Sequence, residues 1–472
     1  MSGIFGVVSR KNCSEILFYG TDYHSHLGTE FAGLAVLGKR ITRKIHEIKQ
    51  SQFKGKFYDE YKKMNGRKGI GVVSSQDEQP VYLNSKFGPF AICTNGLIHN
   101  SHQLVRQMHF SGVSFSETSK DTVNMAELAG KMISREDSII DGIEKMFARI
   151  EGSCSLLLLH RDGIYAARDR RGYSSLATGE KDGAWAVTSE TSSFPNLGFK
   201  IKKYLQPGEI VLLTEKGLKQ KTKGASQSQI CAFLWIYTGF PASSYEGINV
   251  ETVREKCGRF LAKGDNVSSD IVSGVPDSGT AHAIGYAMES KVPFRRPLVK
   301  YTSGYDRSYT PSSQKMRDFI ARMKLIAIRE LIKGKKIVVC EDSIVRGTQL
   351  KNCTIQKLWD NGASGVHIRS ACPPLMFPCI FNVSTRSIKE LAARKAIKAL
   401  ERKSIEDVSG YLNVRSKKYR RMIEWIRKTL GATSLKYQTI EDMVRAIGLP
   451  KEKLCLYCWN GECPKEKSKI KT

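Results

Sequence analysis

No apolar run in these 472 residues reaches the length of a bilayer span. The opening stretch, MSGIFGVVSRKN, carries no secretory pattern. A membrane protein and a secreted one are therefore not expected, and a cytoplasmic one is. The twelve cysteines lack the dense spacing of an extracellular disulfide scaffold, so thiols remain available for metal. Acidic residues are scarce: 46 Asp and Glu against 75 Lys and Arg, a formal net charge of +29. Such a charge would suit nucleic acid, but no nucleic-acid-binding motif accompanies it. The favoured reading is the basic surface of an enzyme that handles polyanionic substrates, with nucleic acid not expected as a partner. Hydrophobic residues at 41% and charged ones at 26% indicate a globular chain, long enough for two or three domains.

The most informative stretch is residues 336–350, KIVVCEDSIVRGTQL. It starts as an apolar, β-branched run, residues 337–340, as a buried parallel strand does. The acidic pair Glu341 and Asp342 follows, then a loop of small and polar residues, then a helical pattern from Gln349 to about Ala363. Strand, loop and helix start make a phosphate-binding turn, because free backbone N–H groups and the positive end of the helix dipole favour an anion there. Ser343, Gly347 and Thr348 allow close approach and add hydroxyls, and Arg346 adds charge. The acidic pair can accept bonds from two ribose hydroxyls and lie near a Mg²⁺ ion carried by a pyrophosphate.

EDSIVRGT resembles the phosphoribosyl pyrophosphate (PRPP) loop of type I phosphoribosyltransferases, and its SIVRGT ending is most similar to the amidophosphoribosyltransferase family. That family usually has Asp where Glu341 stands. The resemblance implies PRPP contacts from Glu341, Asp342, Ser343, Ile344, Val345, Arg346, Gly347 and Thr348. A second strand–turn–helix, VPDSG at 275–279, resembles the family's pyrophosphate loop and implies roles for Asp277, Ser278 and Gly279. Ser278, Glu341 and Asp342 are the implied Mg²⁺ residues. Residues 300–325, rich in Gly, Ser, Tyr and basic side chains, resemble the loop that closes over PRPP. They offer Lys300, Arg307, Arg322 and Lys324 for phosphate contacts. Alternating strands and helices here predict a parallel, doubly wound sheet with its ligand at the strands' carboxyl ends.

The N-terminal half predicts strands at 90–94, 155–160, 163–167, 184–188 and 209–214, with IFGVV near the start as an edge or sandwich strand. Helical runs at 124–133 and 139–150 lie between, a pattern of stacked sheets covered by helices. SGIFGV, TNGLIHN, AARDRRGYSSL and TSET resemble the same family's glutaminase domain, an N-terminal-nucleophile hydrolase. There an N-terminal Cys attacks the glutamine amide and an Asn–Gly pair, here Asn95 and Gly96, helps hold the oxyanion. This chain departs twice. Ser2 stands at the nucleophile position, and the segment that should bring an Arg for the glutamine carboxylate reads GIGVVSS at 69–75. A lost charge-assisted clamp forfeits about 1.5–3 kcal/mol per bond. A glutaminase is thus not expected, although an exposed N-terminal Ser2 with its own amine as base is an alternative nucleophile.

Residues 386–428 are helical in pattern and carry fourteen Lys and Arg against five Asp and Glu. CLYC at 455–458 has metal-ligand spacing but needs partners. Some family members carry a [4Fe–4S] cluster, and the resemblance implies Cys231, Cys379, Cys455 and Cys458 as its ligands, with Cys372 and Cys463 nearby.

The expectation is an α/β chain. Residues 1–229 form a class II glutamine amidotransferase-like αββα domain. Residues 230–472 form a type I phosphoribosyltransferase domain with a helical, Cys-bearing extension. The resemblance implies Mg²⁺-dependent amination of PRPP by ammonia or glutamine, purine nucleotides as inhibitors and a homo-oligomer. A non-catalytic PRPP-binding regulator and an N-terminal-Ser hydrolase coupled to the transferase are the alternatives.

Overall fold

The strands of the N-terminal half alternate buried side chains between two faces, so each sheet needs cover on both sides. In the computed structural model, which describes residues 2–49, 51–116, 123–301, 325–382 and 387–462, that cover is a four-layer stack. One compact unit comprises Met1–Cys231, Phe240–Gly247 and Ile380–Ser384; the other comprises Ala232–Gly239, Ile248–Cys379 and Thr385–Thr472.

In the first unit the strands are β1 (Gly3–Ser9), β2 (Phe31–Leu37), β3 (Ile41–Glu47), β4 (Lys68–Ser74), β5 (Val81–Ser85), β6 (Gly88–Ile98), β7 (Gly152–His160), β8 (Gly163–Ala167), β9 (Ala177–Lys181), β10 (Ala184–Thr188), β11 (Lys200–Tyr204), β12 (Ile210–Thr214) and β13 (Gly217–Thr222). They form one sheet of order β11-β9-β10-β1-β4-β2-β3 and another of order β13-β12-β8-β7-β6-β5. The expected edge-or-sandwich strand β1 is central, antiparallel to both β10 and β4. Ile4, Val8, Ile70 and Val72 of the first sheet pack with Ala91, Cys93, Leu157 and Leu159 of the second. The alternate residues face outward. Phe5 and Val7 meet Leu17 and Phe18 of α1 (Ser14–Asp22) and Phe53 and Phe57 of α2 (Phe53–Tyr61). Ile92, Leu156 and Leu158 meet α3 (Ser101–Phe110), α4 (Met125–Ser134) and α5 (Ile139–Arg149). Helix α5 starts where the Ser138 hydroxyl accepts the Asp141 N–H at 3.0 Å. It buries Ile139, Ile143, Met146 and Phe147, one stripe of a 3.6-residue period.

The second unit centres on four parallel strands in the order Ile271–Gly274, Lys336–Glu341, Gly365–Ser370, Ser434–Tyr437. One face buries Ile271, Ile337, Val339, Val366 and Ile368 with Ala396, Ile397, Met422 and Ile426 from the C-terminal helices. On the other side of the sheet, Arg369 and the Tyr286 hydroxyl both bond Asp265. Burial alone would raise the Asp265 carboxyl; the Arg369 guanidinium overrides that and holds it below its usual range. The helical pattern from Gln349 becomes a wide π-type turn, Leu350–Ile355, running into Gln356–Asp360. The helical pattern over 386–428 is realised in pieces. It breaks into a turn at Ile388–Glu390, a helix Ala392–Glu401, a turn at Ser409–Tyr411 and a helix Lys417–Leu430. Arg402 ends the first helix in a left-handed conformation (φ 58°), and the Ser416 hydroxyl caps the next.

Candidate functional sites

In the second unit two loops leave the carboxyl ends of adjacent parallel strands. Gly274 pairs with Cys340, and the Val275 N–H donates to the Cys340 carbonyl at 3.0 Å. Gly279 must be glycine: a Cβ there would lie 2.3 Å from the Cys340 carbonyl oxygen. The close approach brings Ser278 to the acidic pair, where its hydroxyl favours the charged form of Asp342. The Ser343 hydroxyl holds the same carboxylate, 2.6 Å from Oδ1. Lys300 Nζ meets Asp277 Oδ2 at 2.9 Å. The predicted residues of both loops therefore converge. Arg307, Arg322 and Lys324 lie outside the described residues.

The acidic pair is electrostatically loaded. Burial pushes the Asp342 carboxyl up, and the Ser278 and Ser343 hydroxyls only partly offset it. Burial and then the neighbouring Asp342 charge push Glu341 well above the usual carboxylate range. Glu341 Oε2 is shielded from solvent and has no hydrogen-bond partner among the described residues. Two carboxylates that resist ionising together, one with an orphaned oxygen, fit a hard divalent cation with oxygen ligands.

In the first unit the Ser2 backbone N–H donates to Asn95 Oδ1 at 3.3 Å, and Ser2 Oγ lies 3.4 Å from Ser74 Oγ. Asn95 is buried, and Gly96 takes φ +143°, with Ser153 O 2.1 Å from where a Cβ would be. The segment expected to bring an Arg runs beside the start of the chain, since Gly3 pairs with Val73. It presents the buried Ser74, whose hydroxyl accepts the Gln76 and Asp77 N–H groups at 3.3 and 3.1 Å. A small hydroxyl that caps its own loop thus stands there instead of a guanidinium.

The AARDRRGYSSL stretch is scaffold. Buried Arg168 donates to the carbonyls of Gly172 and Ser174 at 2.9 and 3.0 Å and pairs with Glu246 at 2.9 Å. The TSET stretch hides a cluster that sequence reasoning missed. Buried Glu190 accepts from the Tyr245 hydroxyl at 2.9 Å, pairs with His26 at 2.7 Å and accepts the Phe240 N–H. Burial alone would raise this carboxyl; the His26 partnership outweighs it and holds it low. His26, Phe240 and Tyr245, scattered along the chain, gave no local signal.

Cys379, Cys455 and Cys458 belong to the second unit and Cys231 to the first. Within the second unit, Ala232 N–H donates to the Cys455 carbonyl at 3.4 Å, and Met376 and Phe377 N–H donate to the Cys458 carbonyl at 2.9 and 3.1 Å. Among the described residues, however, no three His, Cys, Asp or Glu side chains are grouped to hold a metal.

Comparison with known proteins places this geometry. Residues 66–196 match a family model described as a glutamine amidotransferase domain. The amidophosphoribosyltransferase of Methanocaldococcus jannaschii is 30% identical over 99% of this chain and 98% of its own length. That of Bacillus subtilis is 29% identical over 98% and 94%. The solved glutamine PRPP amidotransferase from B. subtilis, complexed with ADP and GMP, superposes with a TM-score of 0.85 at 28% identity, over 99% of this chain and 98% of that one. The chain, an N-terminal-nucleophile layered domain followed by a parallel-sheet phosphoribosyltransferase domain, belongs to the amidophosphoribosyltransferase family.

Proposed function

We propose that this chain transfers an amino group from ammonia to PRPP, giving 5-phosphoribosylamine and pyrophosphate, the first step of purine synthesis. Residues 1–229 are its glutaminase-like domain and residues 230–472 its transferase. The observation that carries the reading is the close approach of the two loops at the carboxyl ends of neighbouring strands, where Val275 N–H donates to the Cys340 carbonyl and Gly279 lies against it. The 5-phosphate would sit on residues 343–348, the ribose hydroxyls on Glu341 and Asp342, and the pyrophosphate on residues 277–279 with Lys300. Glu341, Asp342 and Ser278 would hold Mg²⁺, whose charge would balance the leaving pyrophosphate. A C–N bond forms at the anomeric carbon as the C–O bond breaks. Pyrophosphate leaves with the electron pair, and the surplus proton passes to solvent. The protein's part is to position the reactants and meet developing charge with fixed groups.

Ammonia is preferred to glutamine because Ser2 replaces the thiol and Ser74 lies where a carboxylate grip is expected. A hydroxyl is far less ionised than a thiol at neutral pH. The B. subtilis relative was solved with ADP and GMP, which supports purine nucleotides as inhibitors. A homo-oligomer, a cytoplasmic location and a [4Fe–4S] cluster on Cys231, Cys379, Cys455 and Cys458 complete the reading; no chemical step runs through the cluster. The test is pyrophosphate release from PRPP and Mg²⁺, with ammonium or glutamine supplied separately. Ammonium should support turnover and glutamine far less. Equal rates, with Ser2→Ala abolishing only the glutamine reaction, would make Ser2 a working nucleophile. PRPP binding without turnover under either condition would make the protein a regulator.

A further inference from the structure

Three successive residues of the phosphate loop are tied to one short segment of the C-terminal extension. Ile344 is buried in the same core as Ala392, Ala393 and Leu430. The Val345 carbonyl accepts the Ala392 N–H at 2.7 Å. Arg346 Nη2 meets Glu390 Oε2 at 2.7 Å. The loop then turns at Gly347 (φ +76°) against Leu430. Glu390 itself is fixed at the end of a one-turn helix, Ile388–Glu390, started by the Ser387 hydroxyl, which accepts the Lys389 N–H at 3.3 Å. The buried Leu391 follows and leads into the helix Ala392–Glu401.

We propose that Glu390 is a positioning residue for PRPP: its ion pair holds the Arg346 side chain and, with the Val345–Ala392 bond, pins the phosphate loop in its binding shape. This rests on the reading of residues 343–348 as the 5-phosphate loop. The physical case is preorganisation. Ordering a loop residue costs conformational entropy, and a ligand that finds the loop already ordered binds without that cost. The Ile344 and Val345 ties hold the main chain. Neither restrains the long Arg346 side chain, which is 61% exposed, and Glu390 is its carboxylate partner. The contact lies at the phosphate end of the substrate, so it belongs to binding and not to the bond-breaking step.

The experiment compares full-length wild type with Glu390→Gln, Arg346→Met and the double variant, in ammonium-supported turnover and in direct PRPP titration with Mg²⁺. Glu390 is 41% exposed, so the fold should survive, and thermal unfolding checks this. Glu390→Gln should raise KM for PRPP about two- to five-fold with kcat unchanged, the range of an exposed ion pair. In roughly 1 M salt that gap should close, because the pair is screened. In the Arg346→Met background, Glu390→Gln should add nothing; with Arg346 intact, Glu390→Asp should bind PRPP better than Glu390→Gln does. An unchanged KM overturns the proposal. So does a rise that persists in the Arg346→Met background or that salt does not diminish. Wild type that fails to bind PRPP at all overturns the phosphate-loop reading itself. Wild type and Glu390→Gln binding PRPP equally well overturns only the role of Glu390.

Discussion

The acidic pair shows how a residue can serve function against stability. Glu341 and Asp342 are both pushed up, first by burial. A carboxyl whose folded pKa lies above its unfolded value costs stability once it ionises. Its contribution is fully favourable below about 4.5, the ordinary value, and is lost as pH rises through the folded value. Glu341→Gln should therefore stabilise the unliganded protein at neutral pH, by about 1–3 kcal/mol for an unsatisfied buried oxygen. The gain should vanish near pH 4. The same change should cut PRPP turnover, and Asp342→Asn should abolish it with the fold intact. Chemical denaturation at two pH values, paired with pyrophosphate assays, decides this; full activity in Asp342→Asn would remove the pair from the site. These residues were legible in the sequence because eight of them are contiguous between an apolar run and a helical pattern. Glu390 was not, since it lies 44 positions from Arg346 and meets it only through the fold.

At the scale of elements, sequence pattern revealed strands β1, β6, β7, β8, β10 and β12 and helices α4 and α5, but not β2–β5, β9, β11 or β13. It could not reveal that β1 is central, because sheet order depends on pairings between distant segments. Residues 386–428 read as helical in pattern without their breaks, because helical periodicity continues across them; Arg402 ends one helix by backbone conformation and Ser416 caps the next. The loop after Ile271–Gly274 gives an element-scale prediction. Gly279→Ala would set a Cβ 2.3 Å from the Cys340 carbonyl, on the strand that carries the acidic pair. One of the two loops must shift, which should cost about 1–3 kcal/mol and separate Ser278 from Asp342. Unchanged melting and unchanged PRPP affinity in that variant would show that the loops are not coupled. The cysteine segments give another. Protein purified without oxygen should carry about four irons and a brown colour. Stable, active, iron-free protein would leave the four thiols without that role.

For the whole molecule, the two halves have diverged in different ways. The second unit brings Ser343 to Asp342 and Lys300 to Asp277 in its two loops, while the first unit keeps its layers, Asn95 and Gly96 but offers a hydroxyl where a thiol and a guanidinium are expected. If glutamine no longer feeds the transferase, free ammonia must, and that fixes the pH dependence of turnover. Only the unprotonated amine carries the lone pair that attacks the anomeric carbon, and its fraction grows as pH rises. Glu341 and Asp342 titrate in the same sense: both are raised, so activity that needs them ionised is lost as pH falls through those raised values. Two independent causes thus act together, and ammonium-supported turnover should climb steadily from mildly acid to alkaline pH when Mg²⁺ is kept below saturation, so that the metal-free carboxylates titrate. They can be separated. Rates plotted against the concentration of free ammonia should collapse to one line at alkaline pH. They should fall below that line on the acid side, where the carboxylates protonate. In Glu341→Gln the residual activity should lose part of the acid-side shortfall, since one of the two groups is gone. A rate that follows total ammonium irrespective of pH, or that is higher with glutamine at neutral pH, would mean that the first unit still delivers the amine.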